Sequence, residues 1–350
     1  DPAEGATVDK DSEVAFTVSL GPVIEQMGLG GSLDNPEVSN QLDLVADQVE
    51  GIRGAELSTT PYDAVSSGEQ AQTLAERVGI IHDPGELEQE EKALKRMGLL
   101  DGGDDLASLL DQLYGQALPI SYLEQRGRQS VLESIDKLSA NQRALSAREF
   151  GRALTNQEFG SDAARVADKT DGDEAIATYA LEQGDATLTM LDWADDFGNA
   201  DKVRNVIVPG NNGLFESMPL LLQREYSFPF LEGRNFVDRL RRDGGWEAVN
   251  EAWARPPEST EQILHPKLYP NERPTTIVMD GIAGQLGNGW SEDWQQTMGE
   301  LRIGVWLANG EEGEQANPKA AIKLPKANAA AGWGGDRLVS LGGPDGQWAI

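Results

Sequence analysis

Helix start signals recur along this chain and limit it to a mainly helical fold. Ser139 with Gln142 has the spacing of a capping box, in which two side chains satisfy the first free backbone N–H groups of a helix. Asp171 with Glu174 has the same spacing before a long segment rich in alanine and leucine. The two helices predicted from these signals span about residues 140–159 and 172–198.

The rest of the chain alternates shorter helices with a few strands. An amphipathic helix is predicted around Leu106 to Tyr114, and residues 120–134 have the pattern of a hairpin. Further predictions are strands at 13–20 and 275–280, a helix at 70–79, several short helices up to residue 255 interrupted by Pro219, Pro229 and Gly244-Gly245, a helix at 291–308, and a final hairpin at 336–350.

These elements indicate an α+β fold that is mostly α. We expect residues 1–40 to form an arm, either irregular or an edge strand. Residues 41–350 are then a single domain with a helical core at about 104–255 and a C-terminal α/β part at about 256–350. No period of 20 to 50 residues recurs, which argues against a repeat protein.

The net negative charge of the chain argues against polyanionic partners. Asp and Glu number 59 against 29 Lys and Arg, which gives a net charge of −30. Nucleic acid and anionic membranes are bound through Lys and Arg, so neither is an expected partner. Because the acids are dispersed, they favour a hydrated surface of the type found in proteins working at high salt. An acidic face for a basic partner is the alternative.

Residue types that build reactive sites are scarce. The chain has no cysteine and two histidines, His82 and His265. It begins at Asp1, and no apolar run approaches the ~20 residues that span a bilayer. We therefore expect an exported protein without a transmembrane segment. His82 precedes a helix start signal, and we expect it in a surface loop.

Four motifs carry a resemblance to a known family. They are "REFGRALTNQEF" (148–159), "ALEQGDATL" (180–188), "RPPESTEQILHPKLY" (255–269) and "GWGGDR" (332–337), and "GIRG" (51–54) and residues 96–116 also match. In this order they resemble an uncharacterised family of exported zinc-metallopeptidase-like proteins of bacteria and archaea. The resemblance implies a zincin-like helical core with an HExxH helix and a carboxylate ligand on the following helix.

The resemblance also shows what this chain lacks. The two zinc-binding imidazoles of HExxH correspond to Arg148 and Arg152, while Glu149 keeps the position of the catalytic glutamate. Glu182 corresponds to the third ligand, and Asp185 to a neighbour that would support it. A guanidinium group offers donors but no lone pair to a metal. We therefore expect no metal, no cofactor and no catalysis, and we interpret these positions as vestiges of a metal site.

Charge counting suggests what replaced the metal. Two neutral imidazoles with Zn²⁺ carry the same +2 charge as two arginines, so the carboxylates would keep cationic partners. We hypothesise that Arg148 and Arg152 form salt bridges to Glu182 and its neighbours and join the two helices. The alternative is that both arginines point to solvent with ordinary local pairing.

The remaining candidates have structural interpretations. His265 resembles a residue that serves transition-state stabilisation in active relatives, and here we expect it to hold the corner in which it lies. Trp290, Trp294 and Trp306 are expected on the core face of one helix, with a carbohydrate-stacking platform as the alternative. "GWGGDR" lacks the Lys and Ser/Thr of a phosphate-binding loop and is expected to form a tight turn.

These observations favour a catalytically inactive metallopeptidase homologue that serves as a structural or protein-binding subunit of an extracytoplasmic assembly. The sequence leaves two alternatives open. One is an active hydrolase with an unusual or relocated metal site, and the other is a free-standing peptide- or ligand-binding protein. A protein partner is expected, and the sequence does not determine its identity or the oligomeric state.

Overall fold

The computed structural model describes residues 31–58, 62–66, 82–83, 85–115, 118–123, 127–160, 172–198, 203, 208, 213–308 and 329–350. The strand predicted at 13–20 and the helix predicted at 70–79 lie outside these residues. Within them the fold is α+β and mostly helical, as predicted. The helices are α1 Pro36–Arg53, α2 Leu87–Arg96, α3 Leu106–Tyr114, α4 Ala140–Phe159, α5 Gly172–Phe197, α6 Gly213–Ser217, α7 Leu220–Ala254, α8 Thr260–Leu264, α9 Ile282–Leu286 and α10 Gly299–Ala308.

The strands form two small sheets. They are β1 Gly31–Ser32, β2 Tyr62–Val65, β3 Ile120–Leu123, β4 Arg128–Leu132, β5 Ser291–Gln296, β6 Leu338–Gly342 and β7 Trp348–Ala349. The first sheet has the order β1-β2-β4-β3, with β2 and β4 parallel, and the second has the order β5-β6-β7. Both predicted hairpins are confirmed, since β3 pairs antiparallel with β4 and β6 with β7.

Helix α4 begins where the capping box predicts. The Ser139 hydroxyl accepts a hydrogen bond from the Gln142 backbone, and the Gln142 side chain accepts one from the Ser139 backbone. The helix begins at Ala140 and ends at Phe159, which matches the predicted bounds. By contrast, helix α1 begins at Pro36, five residues before the predicted domain start at residue 41, because Asn35 caps it with its side chain.

Helix α5 lies at the centre of the molecule. Nearly every residue from Gly172 to Met190 is buried, including polar ones. It contacts α4 on one side and α7 on another, and Gly184 lies against the backbone of Gly233 in α7. A Cβ atom on either glycine would overlap the backbone of the opposite helix, so this crossing requires two glycines.

Helix α7 corrects one prediction. It runs unbroken through Pro229, whose neighbours Phe228 and Phe230 are buried in two different apolar clusters. The missing N–H costs about 3 kcal/mol in a helix interior, and burial of the flanking aromatic rings offsets it. Only the glycine pair interrupts the helix, with φ of 72° at Gly245.

The C-terminal part contains two further corrections. Residues 291–308 were predicted as one helix but form strand β5 followed by helix α10, because Ser291–Gln296 pairs with β6. The strand predicted at 275–280 does not form. Thr275 donates one backbone hydrogen bond to Gly334, and Val278 is 70% exposed, so this segment has no paired strand beside it.

Three apolar clusters hold these elements together. One lies between α1, the first sheet, α4 and the end of α5. The second joins α5, α7, α8 and α10, and the third lies between α2, α3, the start of α7 and α10. The polar side chains of the site lie on the faces of α4 and α5 that meet between these clusters.

Candidate functional site

Arg152 joins the two central helices through a buried ion pair. Its Nε donates to Glu182 Oε1 at 2.8 Å, and its Nη1 donates to Glu149 Oε2 at 2.9 Å. Besides Asp185, the predicted site on α4 and α5 has four side chains, namely Arg148, Glu149, Arg152 and Glu182, and each is at most 2% exposed. We call these four residues the arginine network. The ion pair predicted between α4 and α5 is confirmed for Arg152, and the solvent-facing alternative is wrong.

Arg148 behaves differently from the prediction. Its Nη2 donates to the side-chain oxygen of Gln183, and its guanidinium lies over the Phe230 ring at 4.8 Å from the ring centre. Its nearest carboxylate oxygen is that of Glu149, at 3.7 Å. Within the described residues its Nε and Nη1 have no hydrogen-bond partner. Arg148 therefore contacts an amide of α5 where a carboxylate was predicted.

The first sheet holds Glu149 in place. The backbone N–H of Tyr122 in β3 donates to Glu149 Oε2 at 2.8 Å, and the Tyr122 hydroxyl donates to the side-chain oxygen of Asn156. Because the same carboxylate oxygen also accepts from Arg152, it is held by two donors. Two donors from different elements, a strand and a helix, therefore fix the orientation of this carboxylate.

Asp185 has a partner that the sequence did not indicate. Arg53, the last residue of α1, donates to one oxygen of Asp185, and Trp253 Nε1 donates to the other at 2.9 Å. The Arg53 guanidinium also stacks on the Trp246 ring, 3.9 Å from its centre. Asp185 therefore belongs to a second ionic contact and does not pair with the arginines of α4. The motif "GIRG" was a usable signal, because a lone arginine at a helix end needs an acceptor.

The other two motifs pack onto the same core. Thr260 in the proline-rich corner donates through its backbone and hydroxyl to Asp173 at the start of α5, at 3.1 and 2.5 Å. Asp336 of "GWGGDR" accepts from the backbone of Met298 and Gly299, at 3.0 Å each, where α10 begins. That motif thus anchors a helix start in addition to preceding the hairpin.

His265 contacts α10 and not α4. Its Nε2 lies 2.9 Å from Glu300 Oε1, and this carboxylate is buried. Burial raises the pKa of Glu300, and the hydrogen bond from His265 acts in the opposite direction. The structure therefore gives His265 a role in holding the corner to α10, in agreement with the structural interpretation.

A second buried ionic cluster was missed. His82, predicted in a surface loop, is 1% exposed, and its Nδ1 lies 3.0 Å from Glu90 Oε2. Its Nε2 lies 3.6 Å from Glu225 Oε2. Arg302 donates to Glu225, to Gln296 and, at 3.3 Å, to Glu90. We call His82, Glu90, Glu225 and Arg302 the histidine network.

The charges in the histidine network shift the pKa of three of its members. Burial by itself lowers the pKa of Arg302, but Glu225 and Glu90 outweigh it and raise that pKa. Burial by itself lowers the pKa of His82, but the charges of Glu90 and Glu225 outweigh it and raise that pKa above its ordinary value. Burial by itself raises the pKa of Glu90, and His82 and Arg302 outweigh it in the lowering direction. All three shifts favour the charged forms.

The tryptophans do not share one helix. Trp294 is buried in β5, Trp306 of α10 is 47% exposed, and Trp290 lies against Gly343 beside the final hairpin. The expectation of a common core face is wrong because β5 interrupts the predicted helix. The three indoles lie in three different surroundings, which gives no support to a stacking platform.

The arginine network does not fit zinc. Both positions that would supply imidazoles carry guanidinium groups, and Oε1 of Glu182 already accepts from Arg152 and Gln183. Across the ranges that the structure describes, no three His, Asp or Glu side chains converge on a possible metal position. The network also lacks an accessible acid or base, since its members are buried and paired with each other.

Two surface cavities lie elsewhere. One, of about 420 Å³, is lined by residues that include Asp173, Ile277 and Asp336. The other, of about 540 Å³, lies between α7 and the corner at 264–267. Neither is lined by a residue of the arginine network, so that network does not form the wall of either cavity.

Comparison of the chain with family models, with curated proteins and with solved structures gives no match. Among the described helices, none combines the length and the apolar character needed to cross a membrane.

Proposed function

We propose that this protein is a catalytically inactive homologue of zinc metallopeptidases that serves as a structural, protein-binding subunit of an exported assembly. The observation that carries the proposal is the buried guanidinium of Arg152, which bridges Glu149 and Glu182 at 2.9 and 2.8 Å. In this proposal the Arg152 side chain supplies between the helices the positive charge that zinc supplies in the resembling family.

The buried carboxylates of α4 and α5 need a cation between them. Two buried carboxylates on adjacent helices repel each other unless a cation lies between them, and an unpaired buried charge is costly. Arg152 supplies that cation without a metal and without an open coordination position. The fold is therefore retained while the water-activating chemistry of a zinc peptidase has no group to carry it.

A surface for a partner is the second part of the proposal. Several large apolar side chains of the C-terminal part are exposed: Ile277, Val278, Leu286, Trp348 and Ile350. Ile277 and Val278 are adjacent in the chain, and Trp348 and Ile350 are two residues apart, so each pair is a candidate for the surface that contacts a partner. Protein isolated from its source should therefore elute from gel filtration in a larger particle than the recombinant chain alone.

The metal part is tested by restoring the imidazoles. The double variant R148H/R152H, which keeps Glu149 and Glu182, should bind one equivalent of zinc in dialysis followed by elemental analysis. The wild-type chain and the matched variant R148Q/R152Q, which removes the same charges without adding ligands, should bind none specifically. Zinc should raise the melting temperature of R148H/R152H only.

Two results would contradict the proposal. Stoichiometric zinc in the wild-type protein, removable by a chelator, would support the active hydrolase. If folded R148H/R152H binds zinc no more tightly than R148Q/R152Q, the site does not descend from the zinc site of a metallopeptidase.

A further inference from the structure

The charged residues that line the cavity of about 540 Å³ between α7 and the corner are mainly positive, although the chain as a whole is strongly negative. Four of its nine lining residues are cationic: Arg234, Arg239, Arg242 and Lys267. Asp238 is the one acidic residue among the nine. In a chain with twice as many acids as bases, this local excess of positive charge is a departure from the rest of the molecule.

Two elements bring these cations together. Arg234, Asp238 and Arg242 follow each other at intervals of four residues and therefore lie on one face of α7. Lys267 comes from the corner after α8, on the other side of the cavity, next to Pro266. The cavity thus has cationic side chains from two separate parts of the chain.

Ion pairing leaves two of the cations available. Arg242 pairs with Asp238 and Arg239 with Asp243, each at 2.6 Å. Within the described ranges, Arg234 and Lys267 have no carboxylate at ion-pair distance, and the buried Nε of Arg234 has no hydrogen-bond partner. Arg234 therefore carries an unmatched charge and an unmatched donor at the same place.

We propose that this cavity binds a small organic anion whose phosphate or carboxylate group is held by Arg234 and Lys267. A guanidinium group matches the paired oxygens of both kinds of anion, and an ammonium group adds a second charge. Leu264 and Pro266 supply apolar lining for the organic part of the ligand. The volume lies within the range of small-molecule sites, about 300 to 1,000 Å³.

The test uses calorimetric titration of the full chain with inorganic phosphate and with citrate, at one fixed salt concentration that keeps the protein folded. The cavity variant is Arg234→Gln with Lys267→Gln. The matched control is Lys137→Gln with Arg273→Gln, which also removes two positive charges, from exposed ion pairs outside the cavity. Salt is held constant because it screens such contacts.

The wild-type chain and the control should bind at least one of the two anions saturably. The affinity of the cavity variant for that anion should be lower by about tenfold, or by more. Binding of phosphate without citrate identifies a phosphate site, and the reverse identifies a carboxylate site. Absence of saturable binding to the wild type, equal affinity in all three proteins, or equal weakening in both variants would overturn the proposal.

Folding is checked by near-ultraviolet circular dichroism. If the cavity variant does not fold, the single change Lys267→Gln at an exposed position takes its place, with Lys137→Gln as its control and the same outcomes. The result does not depend on the zinc experiment, because the two concern different residues and different ligands.

Discussion

The arginine network and the histidine network are both buried, and each combines two glutamates with two basic side chains. They differ in how the chain builds them. The arginine network takes three members from one stretch of α4 and the fourth from the next helix. The histidine network combines residues 82, 90, 225 and 302, so it exists only when distant segments have packed.

This difference decides how completely each network is paired. Arg302 contacts two carboxylates and an amide, whereas Arg148 contacts one amide and leaves two nitrogens without a hydrogen-bond partner among the described residues. Each network also has one carboxylate oxygen without a hydrogen-bond partner among the described residues, Glu182 Oε2 and Glu225 Oε2, so the two networks differ in the bonding of their arginines. We therefore expect the histidine network to depend most strongly on its arginine.

The largest effect is expected for Arg302→Met. This change leaves Glu90 and Glu225 buried with only His82 as a cation, so the free energy of unfolding should fall by about 3–5 kcal/mol. Urea denaturation measures it. The exposed change Lys137→Gln is the control and should cost less than about 1 kcal/mol. A loss below 1 kcal/mol for Arg302→Met would show that the network contributes little.

A smaller effect is expected for Arg152→Met, about 3 kcal/mol, because both of its carboxylates keep another donor. Glu149 keeps the Tyr122 backbone, and Glu182 keeps the Gln183 side chain. The matched variant on the same helix is Arg148→Met, which removes a poorly bonded guanidinium and should cost about 1 kcal/mol or less. Equal losses in the two variants would contradict the inference that the Arg152 ion pair joins the helices more strongly than the contact of Arg148 with Gln183.

The smallest effect is a pH dependence that only the histidine network should show. Because the folded protein raises the pKa of His82 above 6.5, the stability it contributes is fully present below pH 6.5 and is lost as pH rises through the folded value. Glu90, whose pKa is lowered from 4.5, contributes above pH 4.5 and loses its contribution as pH falls through the folded value. The network therefore stabilises most between these two limits.

Denaturation curves above pH 6.5 measure this dependence. The free energy of unfolding should decline with pH in the wild type and decline less in His82→Gln. The variant Arg152→Met should keep the wild-type slope, since the arginine network contains no histidine. Identical slopes in wild type and His82→Gln would contradict the shift of the His82 pKa.

Local signals predicted the elements whose cause is local. The capping box at Ser139 gave the start of α4, and the glycine-containing turn at residue 127 gave the β3–β4 hairpin. The Arg152–Glu182 ion pair was also predicted, because the resemblance placed Glu182 on the neighbouring helix and the charge count favoured a cationic partner for it. In each case the deciding contacts lie close in sequence or follow from a motif.

The failed predictions depended on contacts that are distant in sequence. The sequence of Ser291–Gln296 has a helical pattern. Pairing with β6, which lies more than forty residues later in the chain, makes this segment a strand. Pro229 stays within α7 because the surrounding core holds the helix on both sides. His82 is polar and follows an unremarkable stretch, and only the arrival of Glu90 and Glu225 makes its burial tolerable.

The sequence by itself determined that the chain is mainly helical, where α4 and α5 lie, and that two arginines stand on α4 in an order that places one of them against Glu182. Only the tertiary structure decided that Asp185 pairs with Arg53, that His82 is buried, and that cations collect in one cavity of an acidic protein. The reason is physical: a helix start or a turn is set by interactions within a few residues, whereas the burial of a charge depends on which distant group arrives to compensate it.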